Sequence, residues 1–171
     1  MSTAFDAMVF ARKVHRAQQR RYTGNPYCDH LAEVAGIVAA AHYGSNDGYW
    51  LSDQKVAVAW LHDVAEDQGV TRAELHRLFG SAVADGVMLL SDLEMGNRAT
   101  RKAASRVRLA EAPGWVQSIK CADLISNTSS IVQHDPEFAK VYLEEKRLLL
   151  DVMVSADPRL LAMARAQMGN A

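Results

Sequence analysis

The chain has 171 residues, 49% of them hydrophobic and 23% charged, with a formal net charge of -1 at pH 7. That length suits one domain, residues 1–171, with a sizeable core, and the balanced charge supplies no global field to draw in nucleic acid or an acidic membrane. Cys28 and Cys121 lie far apart without metal-type spacing and read as reduced thiols of a cytoplasmic protein. The opening MSTAFDAMVFARK has no basic segment followed by an apolar run, so no signal peptide is expected, and no apolar stretch approaches bilayer-spanning length.

Ser2 or Thr3 can cap a first helix running to about Arg21, with Phe5, Val9, Phe10 and Val14 at helical spacing. Tyr22 to Tyr27 reads as a turn, since Gly24 permits unusual dihedrals and Pro26 restrains Asn25. A second helix follows from Cys28 to Tyr43, then a loop from Gly44 to Gly48. Ser52 can cap the helix that leads into WLHDVAED, Trp60 to Asp67. Thr71 and Glu74 make a capping box for a short helix ending near Phe79 and Gly80. Ala82 to Leu90 reads as helix and Ser91 to Asn97 as loop. A basic helix carries Arg98, Arg101, Lys102, Arg106 and Arg108 before Pro113 and Gly114 interrupt it. Trp115 to Val132 is the next helix. Asp135 caps a further one with Pro136 at its first position and Val141, Leu148, Leu149 and Val152 on its buried face. Pro158 opens a last short helix, and the tail MGNA is expected to fray. No strand pattern, repeat or low-complexity segment interrupts this series, so the fold class expected is all-α, a compact multi-helix bundle.

WLHDVAED is the stretch with the most chemistry. Read as continuous helix, it sets His62 and Glu66 four residues apart, and likewise Asp63 and Asp67. The nearly uncharged run from Val56 to Leu61 before it predicts a helix through the core, and ionisable groups at its end need a partner such as a metal. A site built on His62 and Asp63 needs one or two further ligands. His30, opening an apolar helix, and Asp123, set among Ile119, Ala122, Leu124 and Ile125, are the candidates. The bland alternatives are a core histidine or cap for His30, and for Asp123 a solvent face paired with Lys120. Mixed imidazole and carboxylate ligands suit Mn²⁺, Fe²⁺ or Zn²⁺, and no cysteine is present to build a structural zinc knot.

These motifs resemble the HD superfamily of metal-dependent phosphohydrolases, and within it the hydrolase domain of RelA/SpoT-type alarmone enzymes and their small stand-alone relatives. The resemblance runs from about Phe5 to Tyr142. It rests on His15, Gln18, Arg20 and Arg21 before Gly24, Pro26, Tyr27 and His30. It rests further on the HD-x-x-ED box His62, Asp63, Glu66 and Asp67, the basic segment Arg98, Arg101 and Lys102, and the pair Ala122 and Asp123 followed by Asn127. It implies one metal ion, usually Mn²⁺ with other divalent ions open, on His30, His62, Asp63 and Asp123. It implies hydrolysis of the 3′-pyrophosphate of guanosine tetra- or pentaphosphate, with Glu66 and Asp67 orienting the water and handling its proton. Arg20, Arg21, Arg98, Arg101, Lys102, Lys120, Asn127 and Tyr142 are the candidate substrate contacts.

The chain departs from the family at Ala17, Leu31, Leu124 and Ser129, where the family carries glycine, proline, a basic residue and arginine. An adenosine alarmone, NADPH or a nucleoside monophosphate therefore remains open as substrate, as does a non-catalytic protein that senses a nucleotide. A bland helical interaction module is the remaining rival. The expected partner is a small nucleotide. Nucleic acid and membrane are not expected, and a homo-oligomer is open.

Overall fold

The computed structural model describes residues 3–42 and 48–169. Among them every regular element is a helix, and the lone β-type pairing is an isolated antiparallel bridge between Gln19 and Pro26. The helices are α1 (Thr3–Val14), α2 (Tyr27–His42), α3 (Gly48–Leu61), α4 (Val64–Gln68), α5 (Arg72–Phe79), α6 (Ser81–Leu90), α7 (Arg98–Glu111), α8 (Gly114–His134), α9 (Pro136–Val152) and α10 (Pro158–Ala166). The chain divides after Ser91 into two units, the first built from α1 to α6 and the second from α7 to α10. The expected all-α class holds. Ser2, the end of the second helix at Tyr43, the loop at Gly44 to Asn46 and Asp47, and the last residues of the tail lie outside the described residues.

The first unit is centred on α3, which packs on α1, α2 and α6. Its Ala57, Val58, Ala59 and Leu61 are fully buried, as the uncharged run predicts. Helix α1 faces inward through Ala7 and Ala11, four residues apart, while Phe5 and Val9 are more than half or half exposed at 57% and 50%. Small side chains there let α1 approach α3 closely. The cap of α1 comes from α3. The buried Asp53 carboxylate accepts the Thr3 N–H at 2.6 Å and the Ala4 N–H at 3.3 Å, satisfying orphan donors of the first turn. Ser52, expected as a cap, lies inside α3, because that helix already begins at Gly48.

Two further expectations are corrected. Helix α1 stops at Val14, not near Arg21. The backbone from Gln18 to Tyr27 folds back on itself, with Tyr27 N–H to Gln18 O at 3.0 Å and Arg20 N–H to Asn25 O at 2.8 Å. Gly24 takes φ +70° to close that turn. The helix through Trp60 to Asp67 is also not continuous. It ends at Leu61 and restarts as α4 at Val64, with Asp63 at φ -103° and ψ -4°.

In the second unit, α8 packs on α9 and α10. A Cβ on Gly114, the first residue of α8, would run into the Ser155 carbonyl oxygen. Buried Gln117 holds the same junction, donating to the Leu109 and Ala112 carbonyls and accepting from the Ser155 N–H. Asp135 caps α9 as expected, accepting from the Phe138 N–H at 3.2 Å. The buried face of α9 is rotated from the expected one. Val141 is 52% exposed, and Lys146 takes an inward position with Ala139, Leu149 and Leu150.

Lys146 is 1% exposed, and its ammonium donates to Thr128 Oγ1 at 2.8 Å and Gln167 Oε1 at 2.9 Å. Burial, against the smaller opposing influence of Cys121 and Asp123, pulls its pKa from 10.5 down to about 8. Between those limits the unfolded chain keeps a proton that the folded chain has released, so this group makes stability rise with pH. Relative to Lys146→Met, the parent chain is therefore expected to gain on the order of 2 kcal/mol from pH 8 to pH 10.5 in urea unfolding. A difference that stays flat over that range would contradict the buried, charge-penalised lysine.

Candidate metal centre and its surroundings

Three ligand-type side chains of the first unit meet where α3 breaks. His30, on the first turns of α2, is 1% exposed, and His62, just past the end of α3, is 2% exposed. Their Nε2 atoms face each other at 3.3 Å. Asp63 Oδ2 lies 2.9 Å from His62 Nε2 and 3.5 Å from His30 Nε2. His62 Nδ1 lies 2.8 Å from the Ala59 carbonyl, an acceptor, so it must carry the proton and donate. That fixes the tautomer and turns the Nε2 lone pair toward the other two groups.

The donor set fits a metal ion. Ligand atoms about 2.1 Å from an ion stand roughly 3.0–3.4 Å apart for octahedral to tetrahedral angles. The three separations, 2.9, 3.3 and 3.5 Å, span that range. Two imidazole nitrogens and a carboxylate at such distances suit a shared divalent cation. This His/His/Asp cluster is a candidate metal-binding site.

The shell behind it comes from the loop that follows α1. The Tyr27 hydroxyl donates to Asp63 Oδ2 at 2.6 Å. Tyr27 also stacks on buried His15, ring centroids 5.1 Å apart and planes 23° from parallel. Gln18 Nε2 donates to Asp67 Oδ2 at 2.7 Å. Gln18 and Tyr27 stand in the sequence as motif residues, and their carboxylate partners emerge only in the fold. The signal was the Gly-x-Pro-Tyr turn, which returns the chain to Gln18. Glu66 and Asp67 sit in α4, one turn past Asp63, and both are exposed.

The second unit treats Asp123 differently. It is 6% exposed on α8. Lys120 Nζ donates to its Oδ2 at 2.8 Å and Asn127 Nδ2 to its Oδ1 at 2.6 Å. Steps of three and four put all three on one helix face. Lys120 and Asn127 thus brace the aspartate. A cavity of this unit gathers Arg98, Lys102, Lys120, Asp123, Asn127 and Tyr142. Arg101 is exposed and does not line it.

Several of these cations are already engaged. Glu145 grips Arg98 through two bonds of 2.7 Å, and the guanidinium lies 5.0 Å from the Phe138 ring centre. Hydrogen bonding and charge from Glu145, partly opposed by burial, raise the Arg98 pKa further. Lys102 reaches Asp92 at 2.8 Å, and Arg108 bonds Asp92 and Glu94. Burial pushes the Asp92 carboxyl up, but the Lys102 hydrogen bond and charge prevail and hold it below the usual range. Burial raises the Tyr142 phenol well above its ordinary value. In the first unit, Arg20 pairs with Glu33 at 3.5 Å, and Arg21 lies over the Tyr22 ring at 5.3 Å.

The HD domain family profile matches residues 7–114. A GTP pyrophosphokinase, rsh, of Brucella melitensis is 35% identical over 148 residues, covering 83% of this chain and 18% of that protein. A probable guanosine-3′,5′-bis(diphosphate) 3′-pyrophosphohydrolase of Synechocystis is 32% identical over 137 residues, covering 77% of this chain and 17% of that protein. The chain thus spans under a fifth of the length of these curated relatives. The solved structure of a metazoan ortholog of SpoT that hydrolyzes ppGpp aligns with TM-score 0.88 over 99% of this chain and 96% of that one, at 20% identity. At that identity the likeness concerns the fold. Among the described residues no helix is long and apolar enough to cross a membrane.

The role of Tyr27 as a support for Asp63 is testable without substrate. Tyr27→Phe removes the 2.6 Å bond to Asp63 and keeps the ring that stacks on His15. Mn²⁺ titration by calorimetry is expected to show affinity about tenfold weaker or more, with the fold retained by circular dichroism. His62→Ala is expected to abolish the rise in melting temperature that Mn²⁺ gives the parent chain.

Proposed function

The chain belongs to the HD domain family, and from that premise we propose that it is a metal-dependent phosphohydrolase acting on guanosine tetra- or pentaphosphate. Water would attack the phosphorus on the ribose 3′-oxygen, the 3′-oxygen would leave with the electron pair and take up a proton, and GDP or GTP plus pyrophosphate would result. The observation that carries this reading is the convergence of His30, His62 and Asp63 one turn before Glu66 and Asp67. Support for the substrate comes from the RelA/SpoT-like motif order and from relatives named for guanosine-alarmone chemistry.

His30, His62, Asp63 and Asp123 form the proposed ligand set. Asp123 enters it on the Ala-Asp motif, and its carboxylate is already oriented by Lys120 and Asn127. The proposed ion is Mn²⁺, in keeping with mixed nitrogen and oxygen ligands. When bound, it supplies Lewis acidity to a phosphoryl oxygen and to water. The rest falls to side chains. Glu66 and Asp67 orient the attacking water and accept its proton. Arg20, Arg21, Arg98, Arg101 and Lys102 are the proposed phosphate contacts, and Asn127 and Tyr142 the proposed nucleoside contacts. This reading treats the chain as one hydrolase domain. It also places the protein in the cytoplasm, in keeping with two free thiols at Cys28 and Cys121.

A second reading is favoured by Leu124, which lines the Asp123 cavity where the family has a basic residue, and by Ser129 in place of arginine. Two fewer charges favour a substrate with less phosphate, such as NADPH or a nucleoside monophosphate. One experiment separates the two. Purified protein with Mn²⁺ is offered guanosine and adenosine tetraphosphates, NADPH and deoxynucleoside monophosphates, and pyrophosphate and phosphate are read separately. Pyrophosphate from the guanosine alarmone is expected, and phosphate alone would transfer support to the second reading. On the preferred substrate, Glu66→Gln/Asp67→Asn is expected to lower kcat by about 10²-fold or more while Mn²⁺ affinity holds. Undiminished turnover in that variant would remove the two carboxylates from the chemistry.

A further inference from the structure

Residues 15–27 grip two carboxylates that stand four positions apart. Tyr27 donates to Asp63 at 2.6 Å and Gln18 donates to Asp67 at 2.7 Å. The two gripping residues are themselves joined, since the Tyr27 N–H bonds the Gln18 carbonyl at 3.0 Å. The spacing between the grips is therefore set by backbone, independently of the short helix α4 that carries Asp67.

The Gln18 amide can serve only one way round. Its Nε2 must face the carboxylate, which is an acceptor. Its Oε1 then receives Gln68 Nε2 at 2.5 Å and His15 Nδ1 at 2.7 Å. His15 Nδ1 must carry a proton to make that bond, so Gln68 bonds the Gln18 oxygen and not His15, whose Nδ1 is farther from it at 3.3 Å. Two donors on one end and an acceptor on the other hold the amide against a half-turn, which would set its oxygen against the Asp67 carboxylate. His15 is 2% exposed and stacked on Tyr27, so the donor that locks Gln18 is immobilised by the ring that holds Asp63.

We propose that Gln18, locked by Gln68 and His15, is a positioning residue for Asp67. This role rests on the hydrolase reading above, in which Asp67 handles the water. Gln18 touches neither the reacting phosphate nor the His30, His62 and Asp63 ligand atoms. It fixes the direction in which Asp67 presents its second oxygen. Gln68 belongs to the same device from the far end of α4, and it acts on Asp67 only through Gln18.

The test is a double-mutant cycle on the full chain with Mn²⁺ and whichever nucleotide the parent chain turns over. Gln18→Leu is expected to lower kcat about tenfold, the effect of losing one hydrogen bond to a charged group, with KM and Mn²⁺ affinity within about twofold of the parent. Gln68→Leu is expected to lower kcat by about threefold. Gln18→Leu/Gln68→Leu is expected to match Gln18→Leu alone, because Gln68 has no separate route to Asp67. Multiplicative losses would overturn the lock, and an unchanged kcat in Gln18→Leu would overturn the positioning role. A fall in kcat matched by equal losses in melting temperature and Mn²⁺ affinity would also overturn it, since that is what a structural role produces. A parent chain that turns over no nucleotide defeats the hydrolase reading and this role with it. A parent that is active and a Gln18→Leu that equals it defeats this role alone.

Discussion

The chemistry of the first unit depends on an interruption of two residues between α3 and α4. In an unbroken helix, the Cα–Cβ bonds of His62 and Asp63 would point about 100° apart. The observed backbone, with Asp63 at φ -103° and ψ -4°, brings Asp63 Oδ2 to 2.9 Å from His62 Nε2. The His62 ring reaches back to the Ala59 carbonyl, which the helix end leaves without an intrahelical partner from residue 63. One hydrogen bond thus satisfies an orphan acceptor and sets an imidazole tautomer.

The same break explains a cap that does not cap. Asp63 precedes α4, a position where aspartate ordinarily accepts a backbone N–H. Here its side chain makes no such bond. Its Oδ2 goes to the Tyr27 hydroxyl and the two imidazoles instead. Forgoing a cap costs about 1 kcal/mol, and a charged hydrogen bond from Tyr27 offsets a cost of that size. A residue that is well suited to a local structural task and is committed elsewhere marks the place where local rules and function part.

What the sequence made legible was residue type and order. His30, His62, Asp63 and Asp123 are the ligands expected from the sequence, and the side chains of the first three come within 3.5 Å of one another, while their ligation of a metal remains a proposal. The break itself was not legible, because VAVAWLHDVAED contains no glycine or proline and every residue in it tolerates helix. The early end of α1 was hidden for a similar reason. The chain leaves the helix to pair Gln18 with Tyr27 and Arg20 with Asn25, contacts that no local propensity encodes. The cap on Thr3 comes from Asp53, fifty residues away. Lys146 was invisible as a core residue because hydropathy assigns lysine to solvent, whereas its hydrogen bonds to Thr128 and Gln167 help to make its burial tolerable. The basic residues teach the opposite lesson. Arg98 and Lys102 were visible as charges, but Glu145 and Asp92 already hold them, so a count of cations overstates the field a phosphate would meet.

Asp123 and Asp67 are held by different chemistry, and the difference matches their proposed tasks. Asp123 receives an ammonium at 2.8 Å and an amide at 2.6 Å, one on each oxygen. The ammonium makes a charge-assisted bond that fixes one oxygen of the carboxylate. Asp67 receives a neutral amide on one oxygen, from a residue that is itself held by Gln68 and His15. An amide orients a carboxylate while adding no formal charge beside it. A locked glutamine beside Asp67 and a lysine beside Asp123 therefore agree with the proton-handling and ligand tasks proposed for them.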